Sequence, residues 1–167
     1  MKTNDPLNSG GKLFFLVTLR VLIGWHFLYE GIVKITNPDW SSAAYLLDSQ
    51  GFLAGFFRSL TYKSGVLMTI DFLNEWGLIL IGLGLILGLF TRYATLGGIF
   101  LLALYYLSHP PFPGLEFAVP AEGNYLIVNK TLIELTALVV LLLFPTGNKL
   151  GLDLLFSRKK SINQEQK

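Results

Sequence analysis

The chain has 167 residues, of which 52% are hydrophobic, 14% aromatic and only 14% charged, and its net charge is +2. Soluble domains carry about 25% charged residues, so this composition, with a mean hydropathy of +0.54, excludes a water-soluble globule and a disordered chain and indicates an all-α integral membrane protein. Cysteine is absent, which removes disulfides, thiolate nucleophiles, iron–sulfur clusters and zinc–thiolate sites, and the small net charge gives no basis for a nucleic-acid partner.

A helix that crosses a bilayer needs about 20 mainly apolar residues, and four stretches are predicted to do so. The first covers residues 13–35 and is interrupted by Arg20, His26, Glu30 and Lys34. Its apolar stretch is too long for a signal peptide, and Glu30 stands where a small-residue cleavage site would be, so it is expected to be retained. The connection 37–65 carries Trp40, Tyr45, Phe52, Phe56 and Phe57. That spacing predicts a short amphipathic interfacial segment or a re-entrant cap, since Trp and Tyr favour the membrane interface.

The second span covers residues 66–90 and contains the long apolar run 77–89. The third, 93–108, stops at His109-Pro110-Pro111-Phe112-Pro113-Gly114, which cannot continue a helix. The fourth, 125–144, stops at Pro145-Thr146-Gly147. Residues 1–12 then form a cytoplasmic tail, 13–156 a four-helix membrane domain, and 157–167 a basic cytoplasmic tail suited to anionic headgroups. Lys2, Lys12, Arg92, Lys149, Arg158, Lys159, Lys160 and Lys167 fall in the two tails and the second-to-third turn. The positive-inside rule therefore puts both termini on the cytoplasmic side of an inner membrane.

Charge within the bilayer costs on the order of 3 kcal/mol per residue, so the ionisable residues carry most of the functional information. At about 100° per residue, Arg20, Gly24, His26, Phe27, Glu30, Gly31 and Lys34 share one half of the first helix. Leu22, Trp25 and Ile32 occupy the other. Glu30 precedes Lys34 by four residues, the favourable order for a helical ion pair, and His26 lies one turn before Glu30. On the second helix Asp71, Asn74 and Glu75 share an arc that Gly82 continues, while Gly84 and Gly88 form a GxxxG contact pattern. Tyr105, Tyr106, Ser108 and His109 end the third helix. Asn124, Asn129 and Lys130 open the fourth, with Glu134 one turn below Lys130.

In one bundle these groups gather in the outer half, with Arg20 deeper. Two readings stand. One is a closed ion-pair network of Glu30–Lys34, Lys130–Glu134 and Arg20–Glu75 that sets helix register. The other is a polar pocket open to the outer face, the usual meaning of intramembrane charge. The two are compatible. His26 and His109 on different helices also admit a haem, which nothing else in the chain supports, and no metal site is predicted.

The run Gly24-Trp25-His26-Phe27-Leu28-Tyr29-Glu30-Gly31-Ile32-Val33-Lys34 leads into Asn37-Pro38-Asp39-Trp40 and Ala43-Ala44-Tyr45-Leu46. Residues 82–92, Asn124-Tyr125, Asn129-Lys130, Glu134 and the closing Gly147-Asn148-Lys149-Leu150-Gly151-Leu152-Asp153 follow in order. Together they resemble the DoxX/DoxD family across nearly the whole membrane domain. The resemblance implies a four-helix membrane protein. In the membrane subunit of thiosulfate:quinone oxidoreductase it implies passage of electrons from thiosulfate to quinone, giving tetrathionate. It places Arg20, Glu30, Gly31 and Lys34 at the family's first-helix motif, and Glu75, Arg92, Asn129, Lys130, Glu134 and Asp153 at looser matches.

Such chemistry assigns roles to the residues at hand. Glu30, Glu75 and His26 are the candidate catalytic groups that hand protons to a quinone, because buried carboxylates titrate near neutrality. Arg20, Lys34 and Lys130 suit an anion. Asn129, Glu134, Trp25 and His109 complete the candidate ligand-binding set, and a quinone ring would lie among Trp25, Phe27, Trp76 and Tyr105. No flavin, haem, iron–sulfur or copper motif is recognisable, so either thiosulfate and quinone react directly in a shared pocket or a partner subunit completes the enzyme. The competing function is a non-catalytic membrane protein that binds a small amphiphile or anchors a partner. The glycine-lined faces also suit a homo-oligomer.

Overall fold

The computed structural model describes residues 10–118 and 126–154. The expectations for both tails beyond these limits, and the Asn124-Tyr125 pair, lie outside the described residues. Six helices follow one another: α1 Gly10–Thr36, α2 Ala43–Leu47, α3 Ala54–Ser59, α4 Ser64–Leu87, α5 Thr91–Ser108 and α6 Lys130–Leu143. The described residues contain no strand.

Two of these helices, α1 and α4, are long and apolar enough to cross a membrane. Only 22% of the most apolar window of each is buried within the molecule, whereas the core helix of a soluble protein would be mostly covered. The outward faces carry large apolar side chains such as Phe15, Leu22, Trp25, Leu80 and Phe100, a surface that needs a non-aqueous neighbour. The helix α5 matches its predicted limits closely. In contrast, α6 starts later than predicted. Leu126 takes a positive φ of 63°, and Asn129 is extended while its side chain accepts a hydrogen bond from the Leu132 N–H at 2.9 Å. Asn129 is therefore the N-cap that starts the helix. The 14 residues of α6 extend about 21 Å, short of the roughly 30 Å hydrocarbon core.

The helix α1 packs along α4, and α5 packs against both α4 and α6. Glycine makes the first contact close. A Cβ on Gly82 would lie 2.6 Å from the Leu28 nitrogen and 2.7 Å from the Gly24 carbonyl oxygen, and one on Gly31 would lie 3.0 Å from the Ile79 nitrogen. Phe27, Leu78, Leu85, Leu102 and Leu138 fill the centre between the helices.

Of the GxxxG pair, Gly84 serves the predicted helix contact, since a Cβ there would lie 2.9 Å from the Ala94 Cβ of α5, whereas Gly88 has a different role. Gly88 ends α4 in the left-handed conformation, φ 64°, and Gly151 sits against it at a distance that leaves no room for a side chain. The chain after α6 folds back over this turn. The Asp153 carboxylate accepts from the Phe90 N–H (2.7 Å), the Thr91 N–H (3.0 Å) and the Thr91 hydroxyl (2.6 Å), which satisfies the exposed donors at the start of α5. The backbone of 152–153 bonds to the carbonyls of Leu87 and Gly88.

At the other end, the predicted interfacial segment forms two short helices, α2 and α3, with Leu46 and Phe57 turned inward and Leu47, Phe52 and Phe56 outward. Asp71 ties this segment to α4. Its carboxylate accepts from the Ser41 hydroxyl and the Ser42 N–H, both at 2.9 Å, and also from the Ser42 hydroxyl. Ser49 and Gln50 bond to the Ser108 carbonyl at the end of α5.

Candidate functional site

The C-terminal half of α1 and the first turns of α6 face each other across Leu78 of α4 and Tyr105 of α5. The space between them is a cavity of about 200 Å³ lined by His26, Phe27, Glu30, Lys34, Leu78, Leu102, Tyr105, Lys130, Thr131 and Glu134. The helical repeat explains the set. His26, Glu30 and Lys34 are four residues apart on α1, as are Lys130 and Glu134 on α6, so each helix presents a single charged stripe.

Hydrogen bonds order the stripe. His26 Nδ1 lies 2.7 Å from Glu134 Oε1 and joins α1 to α6. Lys34 Nζ donates to Glu30 Oε2 at 3.1 Å and sits 5.5 Å from the centre of the Trp40 ring, within cation–π range. The Lys34 and Glu134 side chains are largely covered, and that of Glu30 is half exposed. Two carboxylates, two ammonium groups and an imidazole thus surround one small hollow. It can hold a polar headgroup or a small anion, and the His26–Glu134 pair can exchange a proton with it.

The other predicted site residues lie elsewhere. Arg20 is buried at the opposite end, where Nη1 donates to the Thr146 hydroxyl (2.9 Å) and Nη2 to the Leu150 carbonyl (2.8 Å). It clamps the segment that follows α6 and does not reach toward Glu75, because it lies several turns away along the bundle. Glu75 lies on the α1–α4 contact, its carbonyl oxygen 3.1 Å from a Cβ position on Gly31, and does not line this cavity. Trp25 is 61% exposed on the outer face of α1. Asn129 spends its side chain on capping α6.

His109 follows the last residue of α5 and stacks on Tyr45 of α2, with ring centres 3.9 Å apart. Its Nε2 is 3.7 Å from Asp48. Burial holds the imidazole below its ordinary value, with Asp48 opposing the shift. Burial likewise pushes the Tyr45 phenol up, and the neighbouring Tyr105 adds to the effect. Thr131, a wall residue that the charge pattern does not mark, has one sequence signal: it directly follows Lys130 at the start of a helix.

Taken together, the apolar exterior and the inward charged stripe define a helical membrane protein with a polar hollow near one end of its bundle. Comparison with protein-family models matches DoxX over residues 15–110. This is more than half of the chain, and the protein belongs to the DoxX family. No curated protein and no solved structure matches it.

Proposed function

We propose that this DoxX-family membrane protein is a quinone-interacting subunit of a thiosulfate:quinone type oxidoreductase, and that the hollow between α1 and α6 receives the reacting headgroup. In this proposal α1, α4, α5 and α6 are the four spans, with α5 and α6 completed by their flanking residues. Both termini face the cytoplasm, and the hollow lies in the outer half of an inner membrane. The observation that carries the proposal is the convergence of His26, Glu30, Lys34, Lys130 and Glu134 on one cavity.

Reducing a quinone to a quinol takes two electrons and two protons. Two thiosulfates supply one electron each as a sulfur–sulfur bond forms between them. The residues match the acid–base part of that balance. Lys34 and Lys130 attract an anion, while the Glu134–His26 pair and Glu30 supply protons to the quinone oxygens. At about 200 Å³ the hollow is smaller than the roughly 300–1,000 Å³ of sites that enclose drug-sized molecules, so it accepts a ring or an oxyanion and leaves a tail outside. A partner subunit completes the electron path where direct reaction does not suffice.

The test is to purify the protein in mild detergent, quantify extractable quinone and follow thiosulfate-dependent reduction of added decylubiquinone. Bound quinone that disappears in Glu30→Gln and Lys34→Met variants supports the proposal. Full quinone binding in both variants would assign these charges to helix register alone. Absence of quinone from the purified protein, together with no reduction, would favour the non-catalytic amphiphile binder.

A further inference from the structure

A second cavity lies on the other side of Tyr105. It is larger, about 500 Å³, and is bounded by α2, α3, α4 and α5. No charged residue lines it; its wall is built from residues such as Leu46, Phe57, Leu60, Ile81 and Leu104. Three wall residues, Phe56, Leu73 and Phe100, are themselves more than half exposed, so its mouth is apolar and turned to the side of the bundle. A guest enters such a mouth from hydrocarbon and not from water.

The polar groups in this wall are nearly all committed. The Ser42 hydroxyl bonds to Asp71, the Tyr45 hydroxyl donates to the Tyr105 carbonyl at 3.3 Å, and the Ser108 hydroxyl meets His109 Nδ1 at 3.1 Å. The exception is Asn74 with Tyr105. Asn74 Nδ2 donates to the Tyr105 hydroxyl at 2.6 Å, and Asn74 Oδ1 is buried with no hydrogen-bond partner among the described residues. The pair therefore retains the amide oxygen as an acceptor, and the phenolic O–H and the second amide N–H as donors. Rotating the amide by 180° lets the phenol donate to the amide oxygen and leaves the amide N–H groups as donors and the phenolic oxygen as an acceptor, so the pair still offers both kinds. A buried polar pair with spare capacity to give and to accept is costly unless a partner of the same kind meets it.

We propose that this cavity is a binding site for a neutral, chain-bearing membrane amphiphile whose head is a hydroxyl group, held by Asn74 and Tyr105 with its chain along α4 and α5. A hydroxyl matches the pair because it donates and accepts through one atom. An aliphatic alcohol and a quinol share that chemistry. The site is separate from the charged hollow and does not require it to bind a quinone. Gly77 and Gly97 face the chain region, and a Cβ on Gly77 meets nothing within 4 Å. This helical position can therefore take side chains of growing size into the cavity, and replacing glycine there raises helix propensity.

The test uses the full chain in phosphatidylcholine vesicles with a diazirine-bearing hexadecanol, ultraviolet labelling and mapping of the labelled peptides. Label is expected on α4 and α5, falling progressively through Gly77→Ala, Gly77→Val and Gly77→Leu and at least fivefold in Asn74→Leu. It should be unchanged in Glu134→Gln. Competition by excess hexadecanol but not decylubiquinol identifies an aliphatic alcohol; competition by decylubiquinol identifies a quinol. Equal competition by hexadecane overturns recognition of the head. Labelling that ignores the Gly77 series or Asn74→Leu, or that is lost in Glu134→Gln, overturns the site.

Discussion

His26 and Glu134, 108 positions apart in the chain, meet at 2.7 Å and form a side-chain hydrogen bond between α1 and α6. The contact closes one side of the charged hollow, so it bears on packing as well as on proton exchange. Replacing His26 by Ala leaves a mostly covered carboxylate without its partner. The expected loss is about 1–2 kcal/mol, since the imidazole is partly exposed and solvent screens the pair. Thermal unfolding in detergent reads this loss. His26→Ala combined with Glu134→Gln should lose less than the sum of the two single changes, because the two residues share one interaction.

Arg20 has the opposite profile. It is 2% exposed and holds Thr146 and Leu150, far from the hollow. Arg20→Ala is expected to cost about 3 kcal/mol by leaving the Thr146 hydroxyl and the Leu150 carbonyl without their buried donor. Quinone extracted per folded molecule should be unchanged. Unfolding midpoints and quinone content, measured on the same preparation, separate the two effects.

Glycine positions divide by what surrounds them. At Gly82 a methyl group would press on the backbone of Leu28 and Gly24, atoms that cannot rotate away. Gly82→Ala should separate α1 from α4 at a cost of about 1–3 kcal/mol. Gly77 on the same helix faces open space, so Gly77→Ala should be stabilising by up to about 1 kcal/mol. Opposite signs for two identical substitutions on α4, read as shifts in thermal midpoint, check the close approach.

The stack of His109 on Tyr45 has a pH dependence of defined sign. Burial lowers the folded-state value below the ordinary 6.5, so the unfolded chain takes up the proton first as pH falls. Stability is then full above about pH 6.5 and declines as pH drops from there toward the folded value. The clamp between α2 and the end of α5 should loosen in that window. Hydrogen exchange of the α2 amides at pH 7.5 and pH 5 checks it, and His109→Gln should remove the difference.

Much of the fold is legible in the chain because apolar periodicity, prolines and glycines act locally. The runs that became α1, α4 and α5 stand out by length and hydropathy, and Pro110-Pro111 ends α5 for a reason internal to the segment. Gly24, Gly31 and Gly82 mark the α1–α4 contact through their size alone, since a residue without a side chain on an apolar helix invites a close neighbour. The charged stripe of α1 is equally plain, since a 3.6-residue repeat sets the angle at which His26, Glu30 and Lys34 project. The start of α6 is less legible, because residues 126–128 are apolar enough to continue the helix and only the Asn129 cap and the positive φ of Leu126 stop it.

Sequence alone determined that the chain would hide charge inside an apolar exterior, and which face of each helix would carry it. Tertiary structure decided which charges meet. A helical wheel assigns an angle to each side chain but gives neither the neighbouring helix nor the level along its axis. For that reason Glu134 reaching His26, Arg20 turning to Thr146 and Leu150, Asp71 holding the α2 segment, and the spare hydrogen-bonding capacity of Asn74 and Tyr105 emerge only once the helices are packed.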